Sequence, residues 1–519
     1  MQSSGSEPGS AGDHHTSKLI RRLGCGGVLL LGVLSTVALL VRDYAPKDWF
    51  EKQDRLAVAA SEANGVAASL PTFAKKYPAN ERGRKGVKEI ARIVDGLIYN
   101  YKAYETTGSA VVVKRPHTGF DLQNILRNSV GAEISTATLL AYAAANTTQV
   151  ADLLKVSNIC SFDELSWEYG SFNEPPVFPS NFLRLRETAR VLLPTEIYLA
   201  LQDDDTTRAY SVLLNWMYIG QALEVSGTNL VSGMIGVALD GIMMHNAEEL
   251  LRCAPPPSLE IARRLHDQVD PVRMQRDYIR CCEAEGMWFA EYLRFAAGTV
   301  STPPATLRGS GVTPDFQKAL GAMFAHEVVA CWKDVSAFRM PSSYPNPMHL
   351  LWGTRGMTRA FLLQGLLGQI EWPQRVISAA RAPDFPSLLK LVKEGEVWAE
   401  SMATTNPVFA ISAPAFLRAT MNARGRQAEA AVVRAACMMR MAEMQTRDVN
   451  ATMPVSLWDV SKLVGVPVPM DPLGMTAGAP VKFTAHPENG NYEITHSPSK
   501  APYEGATPYV FKGKWAPGS

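Results

Sequence analysis

The segment Leu23–Val41 contains no charged residue and is bracketed by Arg21-Arg22 on one side and Arg42-Asp43 on the other. At about 1.5 Å per residue, a helix over this stretch nearly spans the roughly 30 Å hydrocarbon core of a bilayer. It reads as a single transmembrane helix, which makes the rest of the chain a body anchored through residues 18–43. A cleaved signal peptide is the rival reading, but its apolar region is usually shorter and ends in a small-residue site that the stretch after Val41 lacks. Leu23-Gly24-Cys25 suggests a lipoprotein signal, yet Cys25 precedes the apolar run instead of following it. Residues 1–17, rich in Ser and Gly, read as a disordered tail. Lys18, Arg21 and Arg22 before the helix are balanced by Arg42, Lys47, Lys52 and Arg55 after it. Long domains translocate largely regardless of charge, so the short tail is expected in the cytoplasm and the body outside it. In a bacterial cell that places the anchor in the inner membrane and the body in the periplasm.

The remaining composition describes a folded body. Lys and Arg number 51 against 50 Asp and Glu, a formal net charge of +1. No basic excess is present to neutralise phosphates, so nucleic acid is not an expected partner. Charged residues make up 19% and hydrophobic ones 46%, a balance that excludes a largely disordered chain. The cysteines Cys25, Cys160, Cys253, Cys281, Cys282, Cys331 and Cys437 form no CxxC pair, so neither a zinc site nor a thioredoxin-like motif has the spacing it needs. The adjacent Cys281 and Cys282 read as buried packing thiols, with a vicinal redox switch as the alternative.

Hydrophobic periodicity predicts a mainly α fold. In the N-terminal helical region, 44–157, helices are expected over 48–75, over 82–106 and from Leu139-Leu140 to Leu154. The stripe Val87, Ile90, Ile93, Val94 and Leu97 marks the second of these. Residues 107–134 read as irregular apart from Ala110–Val113, a candidate edge strand, and Asn158–Ser180 as a loop. The core at 181–298 shows helix, short turn and helix in succession. Pro194 is expected to kink or end the first helix, and Asp203-Asp204-Asp205 to cap the next. That next helix carries Ala209, Val212, Leu213, Trp216, Ile219 and Leu223 on one stripe. The following one is apolar nearly all round from Leu230 to Met244, with Gly233, Gly236 and Gly241 permitting close backbone approach. It is too short, and carries Asp240, for a second membrane span. After Pro255-Pro256-Pro257 come helices over Leu259–Val269 and from Pro271 to about Phe295. The pattern predicts a solenoid-like array of antiparallel helical hairpins without a strict repeat signature.

Residues 299–313 read as a linker. A second helical region, 314–413, has helices over 314–338, near 354–370 and over 385–402. The last region, 414–519, opens with a long helix from about Pro414 to Arg447. Arg424, Arg426, Arg434 and Arg440 are expected away from its apolar face. Beyond Asp448 prolines exclude continuous helix. A short helix is expected over Ser456–Val464. Short strands are expected at Val481–Thr484, Tyr492–Thr495 and Tyr509–Phe511, with a hairpin around Glu488-Asn489-Gly490-Asn491.

In this ending, Met453-Pro454-Val455-Ser456-Leu457, then Val466 through Gly474 with Asp471-Pro472, then Tyr492-Glu493-Ile494-Thr495-His496-Ser497, resembles the soluble part of type II secretion pseudopilins. Most of the chain resembles large, membrane-anchored, mainly helical bacterial proteins that share this ending and whose function is uncharacterised. In them a segment similar to Leu185–Leu193 opens the helical array. The resemblance implies a small α+β cap packed on the last helix. It does not bring pilus polymerisation, because Leu23–Val41 lacks the glutamate of a prepilin helix. Nor does it bring calcium, because Ser497-Pro498-Ser499-Lys500 has no carboxylate.

Chemical motifs are few, and no cofactor or metal is expected. His326-Glu327 would need a histidine at the position of Ala330 to be a zincin motif. Ser387-Leu388-Leu389-Lys390 and Ser497-Pro498-Ser499-Lys500 match S-x-x-K without the partner motifs of serine acyl-enzymes. Met438, Met439, Met441 and Met444 read as core filling, with an adaptable binding stripe as the alternative. Asp240, His245 and Glu248 fall on one helix, with the imidazole a turn from a carboxylate, and are the candidates for a polar groove. Two functions fit: a membrane-tethered, non-enzymatic binding or scaffold module of the cell envelope, connected with secretion or pilus-type assemblies, or an envelope hydrolase or transferase working around His245.

Overall fold

The computed structural model describes residues 47–78, 81–104, 119–153, 155, 182–226, 230–296, 368, 370–405, 407–446, 451–496 and 509–517. Among these the protein is mainly helical and carries one small antiparallel sheet of three strands near its C-terminal end. Among them, too, no helix is long and apolar enough to cross a membrane. The expected tail, the anchor Leu23–Val41, the strand Ala110–Val113, the loop Asn158–Ser180, the linker 299–313, the helix 314–338 with His326-Glu327, and Ser497–Lys500 lie outside the described residues. So does nearly all of the helix expected near 354–370.

The N-terminal region is more broken than its periodicity suggests. The helix expected over 48–75 is two, α1 (Lys47–Ala63) and α2 (Leu70–Lys76). Gly65, at φ 72°, takes the left-handed conformation that terminates α1. Lys76 fastens this corner, donating to the Gly65 carbonyl at 2.8 Å and to buried Glu283 at 2.6 Å. Helix α3 (Glu81–Asp95) stops well short of residue 106, and a 3-10 turn follows at Tyr101–Tyr104. Helix α4 (Leu122–Val130) occupies the stretch expected to be irregular. Asp121 accepts the Asn124 N–H at its start and Gly131, at φ 77°, closes it. Nine residues show too little of the helical period to stand out. Helices α5 (Thr136–Ala145) and α6 (Thr147–Leu153) replace one predicted helix. Asn146 breaks the run because its amide serves Ile98 as a backbone partner, accepting its N–H at 2.9 Å and donating to its carbonyl at 3.3 Å.

Helix α7 (Phe182–Gln202) does not end at Pro194 but runs through it. Proline cannot donate to the carbonyl four residues earlier. Here Ser129 of α4 donates its hydroxyl to that Arg190 carbonyl at 3.4 Å, and Thr195 donates to Val191 at 2.6 Å. A neighbouring element thus supplies the missing hydrogen. Asp205 caps α8 (Thr206–Ser226), accepting the Arg208 N–H at 2.8 Å. Helix α9 (Leu230–Cys253) is then enclosed by α7, α8, α11 (Pro271–Ala296) and α14 (Pro407–Gln445), with α10 (Leu259–Gln268) lying against α8 and α14. Its glycines set those approaches. A Cβ on Gly233 would meet Cys281 of α11 at 2.8 Å, one on Gly236 would collide with the Glu224 side chain of α8, and one on Gly241 would meet the Arg426 guanidinium of α14 at 2.9 Å.

Helix α14 overturns the expected solenoid. In a solenoid each unit touches only its chain neighbours. This helix of 39 residues, about 58 Å long, packs along α9, α10 and α11 as well as on α13 (Phe385–Thr405). From Ala428 to Ala442 it is buried on almost every side, so it needs neighbours all round. It begins at Pro407 and runs through Pro414, the expected start. Helix α12 (370–380), left unassigned by periodicity, reaches α13 through a stack of Trp372 on Trp398 with ring centres 6.0 Å apart. The strands β1 (Lys482–His486), β2 (Asn491–Thr495) and β3 (Val510–Lys514) form the sheet, in that order. Tyr492, Ile494 and Phe511 point from it into the core shared with α14. Helix α15 (Leu457–Val464), capped by Ser456 and closed by Gly465, packs against α14 too.

Two of the four arginines expected away from the apolar face of α14 lie in the interior. Arg424 and Arg440 are each only 4% exposed. Arg424 donates to the carbonyls of Ala382 and Pro472, and Arg434 to His266 and Asp270. Arg440 donates twice to Leu251 at the end of α9, once to Lys514 of β3, and pairs with buried Glu443 at 2.7 Å. Removing one partner of a buried pair strands the other charge, so Arg440→Ala is expected to destabilise the fold by about 3–5 kcal/mol, read as a lower urea midpoint. Gly236→Ala, which forces a methyl into Glu224, is expected to cost about 1–3 kcal/mol by the same measurement.

Candidate functional site

The three candidate residues on α9 separate into two places. His245 and Glu248 lie one turn apart, with Nδ1 4.0 Å from Oε2 and both side chains partly exposed. Asp240 sits about 140° round the helix from His245, and it turns inward to Glu224 of α8. Asp240 is therefore no part of a groove with His245 and Glu248; the two faces of α9 serve different neighbours.

Around His245 and Glu248 the structure gathers residues far apart in the chain. Tyr509, entering β3, places its hydroxyl 3.3 Å from the Met244 carbonyl and within hydrogen-bonding reach of the Glu248 carboxyl. From α14 come Arg426 and Glu429, paired with each other. Glu249 is bonded to Arg252 and accepts the Asp121 N–H at 3.3 Å, which ties the site to the start of α4. Burial pushes the Glu248 carboxyl up to about 7, against the pull of the Tyr509 hydroxyl. Burial holds His245 below the usual imidazole range; the negative charge of Glu249 opposes this and the positive charge of Arg426 adds to it. A neutral imidazole therefore stands beside a carboxyl that exchanges its proton near neutrality. His245 Nε2 has no hydrogen-bond partner. The pair can pass or accept a proton.

The other motifs resolve into structure. Ser387 donates its N–H to Asp384 at 2.8 Å in the first turn of α13, and Lys390 faces Glu394 in an exposed contact. Cys281 and Cys282 are buried free thiols, pushed up by burial, and Cys281 donates to the Glu224 carbonyl at 3.3 Å. Met438, Met439 and Met441 are core. Among the described residues no group of His, Cys, Asp and Glu is arranged to hold a metal ion. Sequence reasoning missed Glu224, Arg426, Glu429 and Tyr509. The available signal was the glycine spacing on α9: Gly236 and Gly241 each mark where a polar side chain of another helix lies against the backbone. Comparison with protein-family models, with curated proteins and with solved structures finds no match to this chain.

Proposed function

We propose that the protein is a single-pass, membrane-anchored cell-envelope protein that acts as a non-enzymatic binding or scaffold module, held in the inner membrane through Leu23–Val41 with its body in the periplasm. One observation carries the reading. Val455, Trp458, Leu463, Met470 and Met475 are all exposed, and all belong to residues 455–475, the stretch that carries α15 and packs against α14. Val455 is 70% and Trp458 54% exposed, although α15 buries Leu457, Val460 and Val464 on its other side. An exposed tryptophan among aliphatic and methionine side chains is the composition of a protein contact surface. The partner this favours is another envelope protein offering apolar side chains. The resemblance to pseudopilin endings supports a place in a secretion or pilus-type assembly.

A photo-crosslinking amino acid placed at Trp458 in intact cells is expected to give one discrete adduct. The same probe at Val272, an equally exposed apolar residue on α11, is expected to give none. Adducts from both positions, or from neither, overturn the reading.

A second reading, an envelope hydrolase or transferase, is favoured by one feature: the Glu248 carboxyl at about 7 beside an imidazole whose Nε2 is unpartnered. In it Glu248 is the proton donor and acceptor and His245 positions the bound group. The His245→Ala/Glu248→Gln double variant is then expected to fail to replace the wild-type gene in cells; full replacement removes the reading. The carboxyl has a measurable signature of its own. Its folded value lies above its unfolded one, so the stability it contributes is whole below the ordinary carboxyl range and is lost as pH rises toward about 7. Glu248→Gln is therefore expected to melt with wild type in acid and above it at alkaline pH.

A further inference from the structure

At the junction of α8, α9 and α11 two buried carboxyl groups face each other. Glu224 is 1% exposed and Asp240 4%, and the Glu224 side chain lies against the α9 backbone at Gly236, one turn from Asp240, within reach of a hydrogen bond between the two carboxyls. Ionised carboxylates only accept hydrogen bonds, so such a contact requires a hydrogen on one of the two. Neither Glu224 Oε2 nor Asp240 Oδ2 receives a hydrogen bond from any other group.

The surroundings are fixed by close packing. Gly236 lets the Glu224 side chain lie on the α9 backbone, and Gly233 admits Cys281, which donates to the Glu224 carbonyl. The charged and titratable groups facing the pair are Asp277, Arg273 and Cys281 from α11 and Arg426 from α14. These arginines are already engaged. Arg273 and Arg276 approach Asp277 at 3.9 and 3.4 Å, and Arg426 is bonded to Glu429. The two arginines that act on the pair are thus each shared with another carboxyl group.

We propose that Glu224 and Asp240 form a proton-binding site, in which one shared proton is a structural ligand that clamps α8 onto α9, and whose loss at alkaline pH loosens the junction. Burial raises both carboxyls, and the negative charge of Asp277 raises Glu224 further. Folded values above unfolded ones mean that the native state binds more protons. The clamp is whole below the ordinary carboxyl range and weakens as pH rises through the raised values. With the proton gone, two like charges stand in contact inside the protein, the arrangement in which one carboxyl of a pair resists ionisation. This inference is independent of the docking surface and of the site at His245.

The test uses the full chain. Infrared difference spectra at about pH 8 are expected to show protonated-carboxyl intensity that falls in Glu224→Gln and in Asp240→Asn. Both amides keep the size of the acid and need no proton. In thermal melts the wild-type midpoint is expected to fall between about pH 5 and pH 9, and each variant to lessen that fall by about 2 °C or more. The double variant is expected to do no more than either single one, because one proton is shared. Unchanged pH dependence in both variants overturns the proposal. If a variant fails to fold, wild-type spectra without protonated-carboxyl intensity at about pH 8 overturn it alone.

Discussion

Arg440 carries a permanent charge into the interior, and much of the C-terminal half is arranged to receive it. Its guanidinium satisfies the carbonyl at the end of α9, reaches β3 and is neutralised by Glu443 on its own helix. Glu443 in turn accepts the Ala516 N–H after the sheet. An isolated buried charge is prohibitively expensive unless paired and hydrogen-bonded, so these elements are held in one relative placement. Arg424 does the same further along α14, joining the loop after α12 to the turn at Pro472. Helix α14 is thus a spine whose polar pins fix what its apolar surface merely attracts.

The second organising element is α9, which works by absence of side chain. Helices packed through ordinary residues keep their axes about 8–10 Å apart. Glycine at positions 233, 236 and 241 brings a thiol, a carboxyl group and a guanidinium against the α9 backbone, from α11, α8 and α14 respectively. The apolar character of this helix explains why it is central. Its glycines explain why polar groups are buried beside it, and both polar clusters of the protein follow from them.

Much of this architecture was legible in the sequence where a signal is local. The cap Asp205, the short helix ending at Val464 and the hairpin over Asn489-Gly490 are set by residues that contact their own neighbours. What was not legible depends on residues distant in the chain. Pro194 stays inside a helix because Ser129 reaches its orphaned carbonyl, and Asn146 breaks one because Ile98 lies beneath it. Arg424 and Arg440 stand among apolar residues of α14 as they would on a solvated face; only the carbonyls they meet show that they are buried. The candidate site divides in the same way. His245 and Glu248 were visible as a one-turn pair, whereas Asp240 could be assigned to Glu224 only once α8 lay against α9.

The two polar clusters are joined by Arg426. Its guanidinium lies on Gly241, between the buried Asp240 and the Glu248 face of α9, and its charge acts on Asp240, His245, Glu429 and Tyr509. Tyr509 leads directly into β3, and β3 packs on α14, the helix that also carries α15 and its exposed Trp458. A negative charge appearing at Glu224 and Asp240 would draw Arg426 toward the junction and away from Glu429. That leaves a buried carboxylate on α14 less neutralised, next to the Glu248 carboxyl and the Tyr509 hydroxyl. Because these groups feel the charge of one cation, their proton occupancies are coupled. One guanidinium, that of Arg426, therefore acts both on the helical junction and on the tyrosine that leads into the C-terminal sheet.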